Sequence, residues 1–74
     1  DIEGAIGDYN EAIRLNPNYA EAMANMGLAF LKKKDIKSAV YWFEQALKHK
    51  DALPAGGEER IRRLLAELKG LPNG

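Results

Sequence analysis

Asp1–Arg14 (DIEGAIGDYNEAIR) and Asp35–Lys48 (DIKSAVYWFEQALK) carry one pattern, 34 residues apart. The shift sets Asp1-Ile2 on Asp35-Ile36, Ala5 on Ala39, Ile6 on Val40, Tyr9 on Phe43, Ala12 on Ala46 and Ile13 on Leu47. Matches recur at spacings of three and four, which on a helix of about 3.6 residues per turn is one face. Identity is lost between them, where water is expected: Glu3 falls on Lys37 and Asn10 on Glu44. A period kept at apolar positions and lost at polar ones marks a structural repeat.

Working outward, the pattern predicts helices over about Ile2–Leu15, Tyr19–Lys33, Ile36–Lys50 and Glu58–Lys69. Asp1 and Asp35 are expected N-caps, as is Asn18, supported by Glu21 three residues on. Asn16-Pro17 ends the first helix, because Pro lacks the N–H that the preceding turn needs and disfavours helix at Asn16. Asp51–Gly57 reads as a linker, and Gly70-Leu71-Pro72 as a stop with Gly70 left-handed. The fourth helix lines up Ile61, Leu64, Leu65 and Leu68 in one stripe under a charged remainder. It is expected to be a solvating cap, since a repeat array needs a terminal helix with a polar outer face.

The 74-residue length allows one small domain, with a core expected to contribute only about 3–5 kcal/mol. The chain has no cysteine, which excludes disulfides and thiolate metal sites. With no leader and no apolar run near the ~20 residues of a membrane span, a cytoplasmic location is favoured and no membrane span is expected. Net charge is zero but segregated. Residues 1–31 hold five acids against Arg14 (−4), and residues 32–74 hold ten Lys/Arg against six acids (+4). That split argues against nucleic-acid binding, which wants one strongly basic surface.

The apolar positions resemble the tetratricopeptide repeat, whose signature is a large residue, two spacers, Leu-Gly, two spacers, Tyr, then Ala-x3-Phe, Ala and Pro. Here it reads Met23-x2-Met26-Gly27-x2-Phe30, then Ala39-x3-Phe43 and Ala46, preceded in the same frame by Ala5-x3-Tyr9, Ala12 and Pro17. Met23, Lys34 and Asp51 depart from it, standing where the family often has Trp, Gly and Pro. The resemblance implies an all-α solenoid of antiparallel hairpins, about four helices with a C-terminal capping helix. It divides the chain into a half-repeat over 1–19, a whole hairpin over 20–53, a linker over 54–57, a capping helix over 58–70 and a frayed tail over 71–74. Gly27 costs about 1 kcal/mol in a helix interior relative to Ala, so a packing reason is expected, and close approach of Ala39 would supply it.

No catalytic constellation is present. His49, the one histidine, has no second His or Cys to share a metal, and Ser38, the one serine, reads as a helix-start residue. Gly56-Gly57 lacks the Lys-Ser/Thr of a phosphate loop. No enzyme activity, cofactor or metal is therefore expected. In the family the first helix of each hairpin lines the concave face, which implies a peptide- or protein-binding scaffold. That carries Glu21, Ala24, Asn25, Leu28 and Lys32 to the inner surface, with Asn25 in reach of a peptide's main chain or terminal carboxylate and Arg62 or Arg63 adding positive charge. The alternative is a self-assembly unit, in which Ile2, Ile6, Tyr9 and Ile13 pair with another copy or stack on an upstream repeat.

Overall fold

The computed structural model describes residues 1–72, which form helices joined by short turns with no strand among them. α1 spans Ile2–Leu15, α2 Ala20–Lys32, α3 Ile36–Lys48 and α4 Gly57–Lys69, with a 3-10 helix at Lys50–Ala52. α3 stops two residues short of expectation, because the chain tightens into that 3-10 helix after His49. Asn73 and Gly74, half of the tail expected to fray, lie outside the described residues.

Both members of the 34-residue echo open on an aspartate cap. Asp1 accepts the Gly4 N–H; Asp35 accepts the Ser38 N–H at 3.2 Å and its hydroxyl at 2.7 Å. These two bonds, the hydroxyl's first, hold the Asp35 carboxyl below its ordinary pKa. A carboxylate depressed on folding contributes stability that is complete above its unfolded pKa, about 3.9. That contribution is lost as pH falls through the lower folded value. Thermal melts are therefore expected to separate wild type from Asp35→Ala most at pH 7, and to converge as pH falls through the folded value.

The start of α2 corrects one expectation. Asn18 does not cap it: Tyr19 is the N-cap residue and no side chain bonds there. Asn16 organises the turn instead, its Oδ1 accepting the Asn18 N–H at 3.2 Å and its carbonyl the Tyr19 N–H at 3.0 Å. A carboxamide that reaches its own backbone two residues on relieves the turn without a helix cap.

α2 ends in a Schellman motif. The Asp35 N–H reaches the Phe30 carbonyl and the Lys34 N–H reaches Leu31, both at 2.9 Å. That motif needs a left-handed residue, and Lys34 takes it at φ 64°. A side chain in this region costs about 1–2 kcal/mol, while Gly loosens the unfolded chain by about 0.4–1 kcal/mol. Lys34→Gly should therefore stabilise by about 0.5–1 kcal/mol, read as a rise of a few degrees in melting temperature. At the other end Gly70 is right-handed (φ −85°), not left-handed, so α4 ends without the expected Schellman stop.

The helices zigzag, α1 packing on α2, α2 on α3 and α3 on α4, into a slab with Cα extents of 36 × 27 × 15 Å. α2 lies in the middle and is the most deeply set, burying Ala20, Ala22, Met23, Met26, Gly27 and Ala29. Its glycine has the packing reason expected of it, but from a different residue. A Cβ on Gly27 would lie 2.6, 2.7 and 2.9 Å from three ring carbons of Phe43. The ring of Phe43, rather than the methyl of Ala39, uses the gap. Phe43 and Ala39 are both fully buried, and Ala46 completes the α3 face. Ile61 and Leu65 of α4 close the core from the far side, with Leu64 and Leu68 half-buried beside them. The outward residues of α4 are mostly charged, and ion pairs Glu3–Lys33 (3.1 Å) and Glu44–Lys69 (2.8 Å) tie neighbouring helices at the surface. Exposed pairs of this kind add little stability.

Candidate functional site

α2 is packed on both sides yet leaves one ridge open. Asn25 and Leu28, half-buried and three residues apart, stand on that ridge between two depressions. On one side α1 contributes Asp1, Ile2, Ala5 and Tyr9 to a groove of about 840 Å³, completed by Leu31 and Lys32 of α2. On the other, Leu53, Pro54 and the first turns of α4 close a dimple of about 140 Å³ against Glu21, Ala24 and Phe43. Ligand sites run from roughly 300 to 1,000 Å³, so the groove has room for a segment and the dimple for about one side chain.

Arg60 borders both depressions and Arg62 neither. On α4 the two flank the apolar stripe, each about 100° from Ile61 but on opposite sides. Arg60 follows the Leu64 edge towards α2. Arg62 follows the Leu65 edge, where it bonds Glu58 at 3.0 Å and lines the opposite surface with Glu44, Lys48 and Lys69. The positive charge expected from Arg62 is thus delivered by Arg60. The stripe alone leaves the two symmetric; the side of α4 that meets α2 decides between them, and that is a tertiary fact. Arg63 is exposed and lines neither depression.

Glu21, Ala24, Asn25, Leu28 and Lys32 all border one depression or the other, so the structure brings them together. Neither Lys32 nor Arg60 pairs with a carboxylate among the described residues. The four α1 residues weighed for self-association divide. Ile2 and Tyr9 border the groove, Ile13 packs against the core, and Ile6 is half-buried outside both depressions. No group of three or more His, Cys, Asp or Glu is placed to hold a metal, and no helix is long and apolar enough to cross a membrane, among the described residues.

The arrangement is that of a helical repeat protein with a groove between α1 and α2. Residues 1–34, covering α1, the Asn16–Tyr19 turn and α2, match the family model described as TPR repeat, so this stretch is similar to a tetratricopeptide repeat. No curated protein and no solved structure gives a significant match. Proteins of this family are in general protein–protein interaction modules.

Proposed function

We propose that the chain binds a peptide or protein segment along the Asn25–Leu28 ridge, using Lys32 and Arg60 to engage acidic groups. The observation behind it is the convergence of an open apolar floor, a half-buried carboxamide and two cations that pair with no carboxylate among the described residues, on one face. Asn25 is suited to the main chain or terminal carboxylate of the segment, since a carboxamide both donates and accepts. Arg60 supplies a planar fork of donors that matches a carboxylate.

Titration of a fluorescein-labelled peptide ending in acidic residues tests this reading. Hydrogen bonds to charged groups contribute about 1.5–3 kcal/mol each, so Asn25→Ala and Arg60→Ala should each weaken binding roughly tenfold or more. Arg62→Ala, on the opposite surface, should leave the affinity unchanged. Affinity insensitive to both Asn25 and Arg60 removes the reading.

A further inference from the structure

The dimple beside the ridge owes its far wall to a stretch outside the 34-residue echo. The same shift sets Pro54–Gly56 on Ala20–Ala22, which are helical, whereas Pro54–Gly56 are not. After the 3-10 helix, Leu53 is extended, and the Gly57 N–H donates to the Pro54 carbonyl at 2.9 Å. Gly56 lies at φ 81°, ψ −8°, as the third residue of a type II turn requires. Leu53 presses on the start of α4, where a Cβ on Gly57 would meet its Cβ at 3.2 Å. Fixed φ at Pro54, a closed turn and this contact set the wall before anything binds.

The space enclosed, about 140 Å³, is lined by Leu28, Ile61 and Leu64 as well as by Leu53 and Pro54. An apolar cavity of ~150 Å³ accepts a benzene ring, so this one suits one aliphatic side chain. Opposite charges border it. Glu21 and Arg60 are both exposed, and neither pairs with an opposite charge among the described residues. Arg60 also borders the groove with Lys32, which puts positive charge towards the C-terminal end of α2. Glu21 stands about 16 Å from Lys32 along the same helix, at its other end.

We infer that the dimple is a socket for one leucine-sized aliphatic side chain of a bound segment, with a base on the Glu21 side of that residue and an acid on the Arg60 side. This rests on the ridge reading above and gives it a sequence preference. Alanine would leave the walls without partner atoms, and tryptophan would exceed the space. A polar side chain would lose water to a mostly apolar lining. Like charges set against Glu21 or Arg60 reject segments of one sign.

The probe is a fluorescein-labelled peptide, Lys-Gly-Leu-Gly-Glu-Glu, titrated with the intact 74-residue chain. Extended, it places its lysine about 13 Å from the first glutamate, close to the reach of the ridge. Alanine or tryptophan in place of the leucine should each weaken binding at least about tenfold. Ala24→Leu, filling the dimple from the protein side, should make the leucine and alanine peptides bind alike. Leu53→Ala, which enlarges the dimple, should narrow the gap between the leucine and tryptophan peptides. Glu21→Lys should weaken the parent peptide several-fold at low salt, and glutamate in place of the peptide lysine should restore it.

Circular dichroism shows which variants keep their helices, and Leu53→Ala serves if Ala24→Leu does not. Equal affinity of the wild-type chain for the leucine and alanine peptides overturns the inference. So does a leucine preference that a folded Ala24→Leu chain retains, because the side chain then binds elsewhere. If the leucine preference is absent while affinity still depends on Asn25 and Arg60, this inference falls and the ridge reading stands. Failure of this peptide and of the acidic-ended one removes both.

Discussion

Phe43→Ala is expected to leave the chain largely unfolded at 25 °C. The ring is fully buried and, with Met26, is one of the two largest fully buried side chains. Truncating a buried Phe to Ala costs about 3–5 kcal/mol in lost transfer energy and residual cavity. A disulfide-free chain of this size has a total stability of about the same magnitude. The ring also links two contacts at once, filling the gap over Gly27 and packing with Ile61 and Leu65 in the core shared with α4. Losing it should therefore weaken the α2–α3 and α3–α4 contacts together. Far-UV circular dichroism with urea titration measures the effect. Phe43→Leu keeps most of the volume and should remain folded with a lower midpoint. A Phe43→Ala variant that melts within a few degrees of wild type contradicts the burial.

Gly27→Ala should destabilise, although alanine is the better helix former by about 1 kcal/mol. Two effects oppose each other. The propensity gain is fixed, while overpacking in a well-filled interior costs about 1–3 kcal/mol. Here three ring atoms of Phe43 stand closer than 3.0 Å to the added methyl, and the enclosed ring has little room to retreat. Overpacking wins, and the net loss is expected at about 1–2 kcal/mol. Gly7 is the control. It lies mid-helix in α1 with nothing within 4 Å of an added methyl, so Gly7→Ala should stabilise by roughly 0.5–1 kcal/mol. Combining Gly27→Ala with Phe43→Leu should cost less than the two single changes summed, because the smaller side chain yields to the methyl. Opposite signs at two helical glycines separate packing from propensity in one set of melts.

The helices and their buried faces were legible in the sequence because each rests on local chemistry. An aspartate three residues before a free N–H caps a helix wherever it stands, and both Asp1 and Asp35 do so. The apolar spacing placed Ala39, Phe43, Ala46, Ile61 and Leu65 inside. What escaped the sequence reading depends on how helices meet. Arg60 and Arg62 are equivalent about the α4 stripe until α2 is set against one side of it. Whether Ala39 or Phe43 faces Gly27 depends on the rotation of α3, since both lie on the same buried face. Asn16 and Asn18 are both good turn residues, and the extended backbone imposed on Asn16 by Pro17 (φ −139°, ψ 90°) gave the role to the first. The groove follows the same rule: its α2 side could be named from the repeat, whereas the share taken by Tyr9 and Arg60 needed the helices assembled.

The most direct test is a ¹³C-edited NOESY spectrum of the folded chain, recorded for the protons of Gly27 and the ring of Phe43. A glycine placed in the repeat to admit an aromatic ring should give strong cross-peaks from its Hα protons to that ring, and Hα shifts displaced by the ring current. Absent cross-peaks, with Gly27 amide exchange as fast as that of exposed Gly7, would mean that α2 and α3 do not meet there.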